Sequence, residues 1–160
     1  MLNYGANAQI YFEYETDNLA NKILAEEDRV LTDVSLSAYR PVNIGSEAGI
    51  RHYGTSLTLK SETVINVYFV IEDEENIPDF YVNDVAVKPV KVDNLYRIRI
   101  EGIVAQNLDN EYVVTVGGLQ VKYSAFSYGY SAMYTSNETL KNVIRALCAY
   151  NHAAEAYLNI

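Results

Sequence analysis

Two hydrophobic periods divide this chain. Near both ends, apolar and aromatic positions recur at steps of three and four; between them they alternate. Tyr4, Ala8 and Tyr11 stand in LNYGANAQIYF, and Tyr150, Ala154 and Tyr157 repeat the same Tyr-x3-Ala-x2-Tyr spacing in CAYNHAAEAYL. Such spacing places three side chains on one helical stripe. A helix is therefore expected from residue 1 to about 14, then turn chemistry at Glu15-Thr16-Asp17-Asn18 and a short crossing over 19–30. A helix that begins uncapped at its first residue suggests a chain cut from something longer.

From Asp33 the period becomes two: Val34, Leu36 and Ala38 alternate with Ser35, Ser37 and Tyr39, and His52 to Leu59 alternates again. Thr63 to Ile71 is a β-branched and aromatic run, suited to a central strand. Asn83-Asp84 and Gly117-Gly118 each sit between short apolar runs, as hairpin turns do. Leu95 to Ile100 alternates, with Arg97 and Arg99 pointing outward. About seven strands with closely spaced turn signals favour a two-sheet antiparallel sandwich. Tyr112, just before a late strand, matches the corner tyrosine whose hydroxyl bonds back to nearby backbone in immunoglobulin-like domains.

Beyond the strands, Phe126, Tyr130 and Met133 fit a helical face that Gly129 weakens. Thr135-x-x-Glu138 reads as a capping box, with Asn137 as the alternative cap. The last helix carries Leu140, Val143, Leu147, Tyr150, Ala154 and Tyr157 as a narrow seam. Its expected partner is the first helix, Ala8 and Ala154 allowing close approach. The expected fold is mainly β with flanking helices (α+β): one domain over 1–160, an immunoglobulin-like antiparallel β-sandwich over 31–124, clasped by the segment 1–30 and by C-terminal helices over 125–160.

Composition limits the chemistry. Twelve basic against 21 acidic residues leave a net charge of −9, which disfavours nucleic acid and anionic membrane surfaces as partners. No apolar run approaches the ~20 residues that span a bilayer. The lone Cys148 has no partner for an internal disulfide and falls on the apolar side of the last helix, as a small buried hydrophobe. Cys148 and His152 sit four apart, but two ligands make no metal site. Glu72-Asp73-Glu74-Glu75 with Asp79 is the densest acidic cluster; Glu72, Asp73 and Asp79 are the candidate calcium ligands, against the plainer reading of a solvated loop. His52 and His152 lie in no nucleophile motif, and no phosphate loop or dinucleotide fingerprint occurs. No cofactor and no catalytic residue are expected. The 15 tyrosines are the remaining handle: Tyr123, Tyr128, Tyr130 and Tyr134 crowd one segment, where aromatic faces serve either a glycan ligand or an internal joint.

The segments LNYGANAQIYFEYETDNLAN, RHYGTSLTLKSETVINVYFVI, VKYSAFSYGY and LKNVIRALCAYNHAAEAYL together resemble a module of large secreted and surface proteins of clostridial, Gram-positive gut bacteria. The resemblance spans nearly the whole chain. It implies a non-catalytic extracellular accessory region with the other domains of its own polypeptide as partners, acting as spacer, docking or adhesion domain. A carbohydrate-binding module using surface tyrosines is the alternative, and a glycan-degrading hydrolase the more distant one. An unpaired helix seam would also support a weak homodimer.

Overall fold

The computed structural model describes residues 2–13, 31–59 and 62–158. The expected turn and crossing over 15–30 lie outside the described residues. The chain separates into two compact units, Met1–Ala38 with Gly129–Ile160, and Tyr39–Tyr128. The chain's two ends belong to the same unit.

Among the described residues of the second unit, nine strands form two antiparallel sheets. They are β1 (Val42–Ile44), β2 (Ile50–Leu59), β3 (Thr63–Ile71), β4 (Phe80–Val82), β5 (Val85–Val87), β6 (Val90–Val92), β7 (Leu95–Ile103), β8 (Tyr112–Val116) and β9 (Leu119–Tyr123). One sheet runs β1-β9-β8-β4-β5 and the other β2-β3-β7-β6. Inward-facing side chains close them over a common core: Phe69 of β3 meets Phe80 of β4 edge-on, ring centres 5.1 Å apart, and neither ring is exposed. β3 matches the expected central strand and pairs on both sides.

The hairpins form where turn residues permit them. Asn83 and Asp84 both take positive φ (47° and 66°), as a two-residue turn matched to strand twist requires. The Asn83 side-chain oxygen also accepts from the Val113 amide at 2.9 Å, tying this turn to β8. Between β6 and β7, Asp93 takes φ 53° in a hairpin that the alternation did not signal. The expected strand over Val34–Ala38 is absent: residues 31–36 are irregular and Ser37–Tyr39 form a 3-10 turn. Leu36 alone of that run is buried, so the alternation marks one anchoring side chain and no ladder.

His52 is held between Asn43 of β1 (Nδ2 to Nδ1, 3.0 Å) and Thr55 (Nε2 to Oγ1, 2.9 Å), joining the two sheets at one edge. Burial pushes its pKa below the ordinary histidine value, the backbone contact with Gly54 opposing in part. The unfolded chain therefore binds the proton more readily, and stability must fall as His52 is forced to charge. The contribution is whole above about pH 6.5 and is lost as pH drops through the folded value. Urea midpoints are expected to fall between pH 7 and pH 5, and His52→Gln to flatten that slope; an equal slope in both proteins would refute the assignment.

The first unit contains α1 (Leu2–Phe12) and α3 (Glu138–Leu158); α2 (Ala125–Ala132) is divided between the units at Tyr128 and Gly129. Ser124 caps α2: its Oγ and the Ser127 amide lie 3.0 Å apart, and the Ser124 amide donates back to Ser127 Oγ at 3.0 Å. That reciprocal pair is a capping box with serine at the third position. At α3 the cap is Asn137, whose Oδ1 accepts from the Leu140 amide at 3.0 Å. Glu138 is the first helical residue, so the Thr135–Glu138 box cannot close; Thr135 bonds back to the Ala132 carbonyl instead. Gly129 costs α2 some propensity but permits close packing, since a Cβ there would lie 2.9 Å from Leu36 Cδ1 and 3.0 Å from Ile144 Cγ2.

α1 and α3 pack together, with Tyr4 stacked on Tyr150 at 5.9 Å and only 11° from parallel. Burial and the neighbouring Tyr150 hydroxyl raise the Tyr4 pKa. The seam expected along α3 is buried at Leu140, Val143 and Leu147 and meets Tyr4 at Tyr150, and the buried stripe is wider than expected, taking in Ile144, Ala146, Cys148 and Asn151. Tyr157 is 77% exposed, while Ala8, Tyr11 and Ala154 are half-buried. No helix among the described residues is long and apolar enough to cross a membrane.

Candidate functional site

The four clustered tyrosines are distributed by the fold. Tyr123 and Tyr128 belong to the sandwich unit, Tyr130 and Tyr134 to the helical unit. Tyr123 sits on the inner face of β9 and is buried, which pushes its phenol up to about 12, Tyr128 adding to the shift. It fills core and presents no ring to a ligand. Tyr112 is half-buried at the start of β8, opposite Tyr123 in register, and burial raises its phenol too.

Tyr130 and Tyr134 stand one turn apart and meet edge to face, ring centres 5.1 Å apart and planes at 63°. They line an open groove of about 230 Å³ with Met133 and with Val34, Leu36 and the serines 35 and 37. Tyr134 is 75% exposed. The hydroxyls of Ser35 and Ser37 lie 3.3 Å apart on the opposite wall. An aromatic wall, a thioether and a pair of hydroxyls suit an amphipathic ligand such as a sugar ring, which has apolar C–H faces and a polar rim. The rings form an angled wall and not a coplanar row.

The acidic loop is organised internally. Asp73 Oδ1 accepts from the Glu75 amide at 3.1 Å and Oδ2 from the Asn76 side chain at 2.9 Å. These bonds hold the Asp73 carboxyl below its ordinary pKa, as the bond from Lys91 does for Glu74. Among the described residues no three His, Cys, Asp or Glu side chains converge to hold a metal ion, so Glu72, Asp73 and Asp79 do not come together as a ligand set. The Asp73 oxygens serve the turn itself. Cys148 is buried, which pushes its thiol up to about 12, while His152 is exposed; the two do not share an environment.

One surface escaped the sequence reading. The register of β2 against β3 slips between His52 and Gly54, making Tyr53 an extra residue. His52 faces Phe69 and the core, whereas Tyr53 is 61% exposed and points away from it. Across the strands Gly54 stands opposite Tyr68, and Tyr68 opposite Arg97. A glycine inside an alternating strand is a signal for a bulge or a close approach, and Tyr53-Gly54 carries it.

Comparison with known proteins yields no match to a protein family, to a curated sequence or to a solved structure.

Proposed function

We propose that this chain is a non-catalytic, immunoglobulin-like module of a larger secreted or cell-surface protein, serving as a docking or adhesion domain. The observation that carries the reading is strand order. In an immunoglobulin domain one sheet runs A-B-E-D and the other G-F-C, with C′ added in extended variants. β2-β3-β7-β6 and β9-β8-β4-β5 follow that order strand for strand, β1 being an addition beside β9. Phe80 on the C-equivalent strand packs against Phe69 on the B-equivalent strand, where antibody domains place a tryptophan against a disulfide. Tyr112 stands two residues before buried Val114 on the F-equivalent strand, the place of the corner tyrosine. The extracellular setting rests on the resemblance of the tyrosine helices and strand segments to clostridial surface modules.

A second reading, carbohydrate binding, is favoured by the Tyr130–Tyr134 groove with its serine wall. One experiment addresses both. The chain is incubated with a broad glycan pool, bound species are recovered, and all species are weighed by mass spectrometry. Intact glycans retained by the wild type and lost at least tenfold in Tyr134→Ala are the expected result for the groove. Retention unaffected by that change removes the second reading, and shortened glycans in solution overturn the non-catalytic one.

A further inference from the structure

We propose that the outer face of the sheet β2-β3-β7-β6 binds an acidic oligosaccharide, one pyranose ring lying over Gly54 beside Tyr53 and Tyr68 and an acid group of the chain reaching Arg97. This face belongs to the sandwich unit, so the inference stands apart from the Tyr130–Tyr134 groove.

Three observations carry it. First, a Cβ built on Gly54 meets nothing within 4 Å, so open space lies directly above the strand. That space is flanked by exposed Tyr53 and by half-buried Tyr68, the cross-strand partner of Gly54. A flat floor between two phenol rings fits the C–H face of a pyranose, which stacks on aromatic surfaces. Second, Arg97 is half-buried yet takes part in no ion pair, and its Nε finds no acceptor, among the described residues. Its Nε lies beneath the surface, but the half-buried side chain carries a charge that no described carboxylate neutralises, and an acid group of a ligand would pair with it. Its neighbour Arg99 differs, being paired with Glu62 and Glu101. Third, the spacing is that of a saccharide chain. Gly54 and Arg97 are two strands apart, about 9.5 Å, which a ring and the acid group of the next residue can bridge.

In the neighbouring row Asn66 is buried and Arg99 is paired with Glu62 and Glu101, whereas Arg97 holds no ion pair among the described residues. The open floor over Gly54 and an Arg97 without an ion pair among the described residues favour a polyhydroxylated anion.

The test is calorimetric titration with three acidic probes: oligogalacturonate, oligoguluronate and a sialylated oligosaccharide. The methyl ester of the best binder serves as its uncharged counterpart. At least one acid is expected to bind, with its ester at least tenfold weaker. Arg97→Gln should erase the difference between acid and ester while leaving ester binding in place. Gly54→Val should weaken acid and ester alike by at least tenfold; its side chain enters open space, and an unchanged circular dichroism spectrum verifies the fold. Tyr134→Ala should bind as wild type does. Silence with all three acids, an ester bound as tightly as its acid, or wild-type binding by Gly54→Val would each overturn the proposal.

Discussion

Truncating Phe80 to alanine is expected to destabilise the sandwich by about 3–5 kcal/mol, the range for deleting a fully buried phenyl ring. Phe80 is unexposed, packs edge-on against equally buried Phe69 from the opposing sheet, and lies opposite Val116 in its own. Neither neighbour can collapse into the void, because both are fixed in strands whose ladders set their positions. The chain has no Trp, so urea unfolding is best followed by tyrosine emission and far-ultraviolet circular dichroism. The midpoint should fall with little change in slope, which marks lost stability and not a changed denatured state. Phe80→Leu should cost markedly less, since it refills most of the volume. A loss under about 1 kcal/mol for the alanine variant would mean that the two sheets do not close over this pair.

Gly45→Ala is expected to cost about 3 kcal/mol, an unusual amount for one methyl group on the surface. Two causes combine. Gly45 holds φ +71°, where an L side chain costs about 1–2 kcal/mol. Its Cβ would also run into the carbonyl oxygen of Gly118, a backbone atom that cannot swing aside. The β8–β9 turn is seated here: the Gly118 amide donates to the Glu47 carboxylate at 2.7 Å, and a Cβ on Gly118 would lie 2.6 Å from the Ser46 carbonyl. Gly102 supplies the control, with the same φ of +71° and open space around its Cβ. Gly102→Ala should show the backbone cost alone, and the difference between the variants measures the contact with Gly118. Equal losses would remove the interlock from the account.

Legibility along the chain followed local chemistry. Thr63–Ile71 could be read to the residue because a central strand needs apolar, β-branched side chains on both faces, and that demand leaves its mark on composition. The turns at Asn83-Asp84 and at Gly117 were readable because positive φ restricts the residue choice. β1 left no such mark: Val42, Asn43 and Ile44 are all exposed, and the strand exists because the β9 edge and the Asn43–His52 bond receive it. β6 is three residues long beside Pro89, too short for a period to show. The α2 cap was missed because serine replaces the expected glutamate at its third position.

The candidate sites divide in the same way. That the tyrosines form a resource was visible in the sequence; which of them meet solvent was not, since burial depends on which faces the sheets and helices turn inward. Tyr123 shares the buried face of β9 with Leu119 and Val121, Tyr53 stands outside core-facing His52, and the one-residue slip in β2 carries Gly54 onto the outer face beside Tyr68. By itself the sequence determined the mainly β class, the hairpins at Asn83-Asp84 and Gly117-Gly118, and the pairing of the terminal helices, all of which arise from local propensity or a repeated period. Only the tertiary structure decided the strand order, the joining of the chain's two ends in one unit, and the open space above Gly54. Those depend on contacts between residues far apart in the chain, and such contacts impose no period on the residues that make them.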